Sequence, residues 1–182
     1  MSVRLPVHEA LREGTRDAHD RVDAAFGAFD LSDPSDYRRF LRAHARAFIP
    51  VEQAIDCIGI EAMVPDWTGR RRADRILADL QALEETAPDL TPLKLTDTDA
   101  ALGALYVLEG SRLGGAMLAR RIPADLPRTY LGTAQTPGAW RKLLEILGST
   151  LYSPESVEAA LASARAVFDR FEAAARAERG MR

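Results

Sequence analysis

Apolar positions recur along this chain at steps of three and four, the spacing of one face of an α-helix. Leu11, Thr15, His19, Val22 and Phe26 form the first such stripe. A second holds Tyr37, Phe40, Leu41, His44, Phe48, Val51 and Ile55, with Ser35 as the expected cap. Pro50 lies within it and predicts a kink or a segment end. A third helix is expected from Thr68, carrying Ile76, Leu77, Leu80 and Leu83 and leaving near Thr86. Residues 88–98 hold two prolines and several Thr and Asp, which reads as a loop. A fourth helix is expected over residues 99–121, capped by Thr98 or Asp97. Residues 123–138 read as a loop with at most one helical turn, and residues 140–147 as a helix. Ser153-Pro154-Glu155 is a helix start, a cap followed by proline at the first position. The helix that follows runs to about Arg179, with Val157, Leu161, Ala164, Phe168 and Phe171 inward. Strand-like alternation, repeats and linkers are missing from the pattern. The expected fold is all-α, a single domain over residues 1–182 with six to eight helices.

Composition narrows this picture only in part. At 182 residues, 47% of them apolar, the chain can bury one sizeable core. The longest uncharged apolar run, residues 100–108, falls well short of the ~20 residues that cross a bilayer. The first residues are charged throughout, so no secretory signal is expected. One cysteine, Cys57, excludes an internal disulfide framework and a cysteine-rich zinc site. A cytoplasmic setting follows as the expectation. A net charge of −3 argues against nucleic acid as the main partner. The cations are nearly all arginine, with only Lys94 and Lys142 as lysines. Arginine suits carboxylate and phosphate partners, because its fork bonds bidentately. The run Arg70–Arg72 reads as a solvated helix start, with a docking patch as the other reading.

The fourth helix carries the most informative stretch, ALGALYVLEGSRLGG at residues 101–115. Gly110, Gly114 and Gly115 sit inside a helical pattern that resumes after them. Each interior glycine costs a helix about 1 kcal/mol relative to alanine, so something must offset the weakness. One account is close helix packing over a small-residue groove. The other is a flat, bulky ligand lying against bare backbone, which glycine permits. Spacing does not choose between them.

His8, His19 and His44 are the only histidines. His19 lies on the apolar stripe of the first helix, with Asp23 four residues on and on the same side. Such a histidine is either a hydrogen-bonded core residue or a single axial ligand, and neutral imidazole is a common ligand of haem iron. Asp23 would then order the ring. His44 occupies an equivalent inward position on the second helix, so spacing leaves it open as the ligand. His8 is expected in solvent. The paired Glu-x-x-His motifs of a bundle di-iron site are absent.

Two segments carry a resemblance. LREGTRDAHDRVD (residues 11–23) resembles the proximal helix of haem oxygenases, and LYVLEGSRLGG (residues 105–115) resembles their glycine-rich distal helix, about ninety residues later. Weaker similarity runs through residues 75–83 and 153–168. The match is best with the bacterial, biliverdin-producing branch, including enzymes that supply chromophore to bacteriophytochromes. Carried over position by position, the resemblance makes His19 the iron ligand. Gly110, Gly114 and Gly115 become the distal glycines over the porphyrin. Arg12 and Arg16 become partners of the haem propionates, and Phe168 an aromatic wall. Ser111 stands where many members have a carboxylate that holds distal water, so Ser111 Oγ and nearby carbonyls are expected to organise that water. A propionate-binding tyrosine of some members maps to Leu105, with Tyr106 beside it. A third cation does not align, leaving Arg141 and Lys142 as candidates.

The implied activity is oxidative ring opening of haem, both cofactor and substrate, to biliverdin, with release of CO and ferrous iron. It uses O2 and an external electron donor, a ferredoxin or a flavoprotein reductase. A bacteriophytochrome is the implied acceptor of biliverdin. The alternative on the same scaffold is a haem carrier or sensor without turnover, suggested by Ser111. A third reading is a helical interaction module whose glycines merely pack.

Overall fold

A computed structural model describes residues 6–133 and 136–180; the other residues of the chain, including two in the expected 123–138 loop, lie outside the described residues. The described chain is all-helical. Six longer helices are α1 (Val7–Gly27), α2 (Pro34–Ile58), α4 (Ala73–Ala82), α5 (Thr98–Ala119), α7 (Ala139–Thr150) and α8 (Pro154–Glu178). Two single turns, α3 (Trp67–Arg70) and α6 (Thr129–Gly132), join them, and a short 3₁₀ turn at Ile60–Ala62 follows α2.

The long helices start where the sequence offers a cap. Asp97 Oδ1 accepts the Ala100 amide at 2.8 Å at the head of α5. Ser153 and Ser156 cap each other's backbone ahead of Pro154, the capping arrangement that opens α8. For α2 the cap is Asp33, whose carboxylate accepts the Asp36 amide at 2.8 Å, and Ser35 lies inside the helix. Pro34 fits the first helical position, which is why the start shifts ahead of Ser35. Pro50 sits inside α2 and does not end it.

The expected third helix is divided. α3 stops at Arg70 and α4 begins at Ala73. The buried Glu52 carboxylate causes the break by accepting the amides of Arg72 (2.6 Å) and Ala73 (3.1 Å), thereby capping α4 from the side of α2. Asp79 does the same for α6, accepting the amides of Thr129 and Tyr130 at 3.0 and 2.8 Å. Arg70 and Arg72 are 4% and 2% exposed, so neither is a solvated helix start or a docking patch. Only Arg71 of the three points outward, towards Asp56.

α8 is the central strut and packs along α1, α2 and α5. Its contact with α5 is close because residue 103 is glycine. A Cβ there would stand 2.0 Å from the Ala160 carbonyl oxygen. Aromatic side chains of α1, α2 and α8, including Phe26, Phe40 and Phe171, fill the space below. Among the described residues no helix is long and apolar enough to cross a membrane.

Candidate active site

α1 and α5 do not close against each other. Between them lies a cavity of about 560 Å³, floored by α2 and α8 and flanked by Trp140 of α7. That volume falls in the range of small-molecule and cofactor sites, roughly 300–1,000 Å³. α1 contributes Arg12, Thr15, Arg16, His19, Val22, Asp23 and Phe26 to its lining. α5 contributes Tyr106, Val107, Gly110, Ser111, Leu113, Gly114 and Leu118, and α8 contributes Phe168 and Phe171. The lining is thus mainly apolar, with cations and one imidazole on the α1 side.

His19 reaches the cavity from the same stripe that brings Thr15, Val22 and Phe26 to its lining. Leu11, Thr15 and Ala18 are buried beneath it, and the Thr15 hydroxyl donates to the Leu11 carbonyl at 2.7 Å. The His19 side chain is 57% exposed, and its Nδ1 lies 3.2 Å from Asp23 Oδ2. The Asp23 carboxylate is thus placed to orient the imidazole from its Nδ1 side. The edge of Phe168 braces the ring, with centroids 5.7 Å apart. Arg12 and Arg16 stand on the same side of α1, exposed at the rim.

His44 also lines the cavity, but its surroundings are different. Phe26 and Phe40 lie 4.4 and 4.2 Å from its ring, with Tyr130 and Phe171 beyond. Its Nδ1 is 3.1 Å from the Phe40 carbonyl. Burial pushes its pKa down to about 4, opposed by that hydrogen bond and helped by the Arg72 charge. It is a neutral core histidine at the cavity floor. His8 is exposed.

The glycines of α5 divide by direction. A Cβ on Gly110 would meet only the Trp140 ring, at 3.7 Å, and one on Gly114 would meet nothing within 4 Å. Both face the cavity. Gly115 faces away from it. A Cβ there would lie 3.3 Å from the Leu131 carbonyl, because α6 packs against that side. Gly115 therefore packs against α6 and does not line the cavity, unlike the expectation that grouped it with Gly110 and Gly114.

Ser111 lines the cavity and is held from behind. Its hydroxyl donates to the Leu108 carbonyl at 2.7 Å and accepts from Arg72 Nη2 at 3.1 Å. Arg72 Nη2 also donates to Leu108 O at 2.5 Å, and the guanidinium lies over the rings of Phe48 and Tyr130. Sequence reasoning missed Arg72 as a site residue. Its only signal was a charge run, which carries no information on which member turns inward.

Two further expectations are resolved. Leu105 is fully buried in the core, whereas Tyr106 faces the cavity with its ring 5.5 Å from Trp140. Burial raises the Tyr106 phenol pKa, and the nearby Arg12 charge works against that rise. Arg141 and Lys142 do not reach this cavity. Arg141 is 84% exposed beside Glu145, and Lys142 lies 3.6 Å from Asp66, both lining a separate hollow.

An imidazole on one wall and bare backbone on the other is the arrangement that the two resembling segments imply. The chain is 30% identical over 152 residues to a heme oxygenase of Xanthomonas campestris pv. campestris, covering 80% of this chain and 92% of that protein. It belongs to the haem oxygenase family. The fold agrees with solved haem oxygenases. The NO- and CO-bound enzyme from Neisseria meningitidis superposes with a TM-score of 0.86 at 23% identity, over 98% of this chain and 94% of that one. The enzyme from Leptospira interrogans superposes with a TM-score of 0.74 at 18% identity, over 94% of this chain and 98% of that one. A search of protein-family models finds no match. Within the family, this chain has serine, not a carboxylate, after its first cavity-facing glycine.

Proposed function

We propose that the chain binds one haem in this cavity and opens it to biliverdin, releasing CO and ferrous iron. One observation carries the reading: His19 on one wall and Gly110 with Gly114 on the other line the same cavity. The residues suit the group. His19 offers its Nε2, the open space at Gly114 admits a flat ring against backbone, and Arg12 and Arg16 stand at the rim.

When bound, haem supplies both the iron that activates O2 and the ring that is opened. His19 would hold the iron through Nε2, with Asp23 fixing the imidazole by the contact at Nδ1. A neutral imidazole pushes less electron density than a thiolate would. Gly110 and Gly114 leave room along the α5 wall, and Phe168 and Phe171 would keep water from the part of the cavity they line. Arg12 and Arg16 would bond the propionates by charge-assisted hydrogen bonds and so choose which ring edge enters.

Ser111 places an oriented acceptor oxygen at the cavity wall. Its Oγ is fixed between the Leu108 carbonyl, which takes its proton, and Arg72, and it carries no carboxylate charge. That oxygen, with the cation behind it, holds water where protons are consumed. The electrons come from outside, from a ferredoxin or a flavoprotein reductase. A bacteriophytochrome is the proposed acceptor of biliverdin, which would place the protein in the bacteriophytochrome-associated branch, and the cytoplasm is the proposed setting.

Anaerobic loading with haem, then addition of O2 and a reductant, tests the function. Loss of the Soret band with biliverdin as the chromatographed pigment is expected. A Soret band that survives turnover conditions would make the protein a carrier or sensor.

A further inference from the structure

The half of α5 that carries the cavity-facing glycines has a second face, turned away from the cavity. On that face a single carboxylate bridges two guanidinium groups. Arg70 Nη1 donates to Glu109 Oε2 at 2.7 Å, and Arg112 Nη2 lies 3.1 Å from Glu109 Oε1. All three side chains are buried. Arg112 also donates to the Arg70 carbonyl, which closes the group. Arg70 Nη2 extends it to the Asp66 carboxylate and to the carbonyl of Ala139, the first residue of α7, each at 3.0 Å. The next residue is Trp140, which stands over Gly110 and against Tyr106.

The placement matters because glycines weaken a helix. Before residue 109, α5 is held by its contact with α8 at Gly103. Beyond it, the cavity side offers Gly110 and Gly114 little to pack on. What fixes that segment from behind is the ion-paired face, together with α6 against Gly115 and Arg72 on Ser111. A buried ion pair of this kind is costly to break on one side, because the partner charge stays buried and unpaired. It therefore acts as a directional clamp.

We infer that Glu109 is a positioning residue: by bridging Arg70 and Arg112 it holds residues 110–114 and Trp140 as one rigid wall, and so sets the gap into which the macrocycle enters. This rests on the reading that haem is the ligand. Glu109 does not line the cavity, so its effect is exerted through the glycine segment and the indole.

The test compares wild type with Glu109→Gln, which keeps the length and removes the charge. Amide hydrogen exchange is followed on the haem-free proteins, and haem release from the loaded proteins is followed by transfer to an apo-globin. In Glu109→Gln, exchange over residues 110–119 and 139–147 rises at least tenfold, while residues 154–178 are unchanged. Haem leaves at least tenfold faster. Exchange that rises equally in all helices makes Glu109 a plain stability residue and overturns the inference. So does localised exchange with haem release unchanged. If Glu109→Gln does not fold, Arg112→Lys, which keeps a charge on a different reach, must give the same localised pattern, and a uniform pattern there overturns it. Wild type that takes up no haem sinks the functional reading instead, and the exchange measurement, which needs no haem, tells the two failures apart.

Discussion

Gly103 and Gly110 lie on the same helix and answer opposite needs. At Gly103 a methyl group would run into the Ala160 carbonyl, so the missing side chain lets two helices touch. At Gly110 and Gly114 there is room for a methyl group, and the missing side chain leaves a cavity. One end of α5 is therefore glycine-containing because the protein is full there, and the other because it is empty. Emptiness beside backbone has no value to the fold, since it forfeits both helix propensity and packing. Its value is to a ligand.

This contrast can be broken most forcefully at the full end. Gly103→Ala places a Cβ 2.0 Å from main-chain oxygen, which cannot swing aside. Such overpacking against backbone should cost about 3 kcal/mol or more. Urea denaturation would show it as a lower midpoint, and an unchanged midpoint would mean that α5 and α8 are not that close.

Acid should loosen the core side of the cavity by a comparable amount. His44 stays neutral in the folded protein down to about pH 4, while in the unfolded chain it protonates near its ordinary pKa of 6.5. The unfolded state thus binds the extra proton between those values, and stability falls as pH drops from about 6.5 to 4. The loss is on the order of 3 kcal/mol. Denaturation at pH 7 and pH 4.5, repeated with His44→Phe, should show a shallower slope in the variant.

At the rim the effect moves from stability to recognition. Arg12→Glu with Arg16→Glu should leave the fold unchanged, since both are exposed on α1. Haem affinity should fall by a factor of about a hundred or more, as two charge-assisted bonds worth ~1.5–3 kcal/mol each become repulsions. The biliverdin isomer should change as well. Chromatography of the product and a haem titration check both.

The smallest effect sharpens the contrast best. Gly114→Ala meets nothing within 4 Å, so it should stabilise the haem-free protein by up to about 1 kcal/mol. The same change should weaken haem binding. One substitution type would then weaken the fold at residue 103 and strengthen it at residue 114.

Much of this was legible in the sequence, for physical reasons. Helix periodicity and caps such as Asp97 and Ser153 are local, so the order of the long helices could be read directly. His19 and the glycine segment stood out because each violates its own helix: an imidazole on an apolar stripe, and glycines in a helix interior. What escaped depends on distant partners. The break between α3 and α4 is imposed by Glu52, some twenty positions earlier, whose carboxylate takes the amides of Arg72 and Ala73. The inward turn of Arg70 and Arg72 depends on α5 supplying Glu109 and the Leu108 carbonyl. Gly115 looked like its neighbours because spacing does not reveal that α6 covers one side of the helix. Tyr106 and Leu105 differ by one position, and only the packed rotation of α5 shows which of them reaches the cavity.

The most direct measurement is the absorption spectrum of the haem complex of His19→Ala, recorded with and without added imidazole. A macrocycle seated between α1 and α5 should lose its histidine-ligated ferric spectrum in the variant and regain it when free imidazole enters the vacated space. A His19→Ala complex with the wild-type spectrum, unaffected by imidazole, would mean that the iron is held elsewhere and that the two walls do not enclose it.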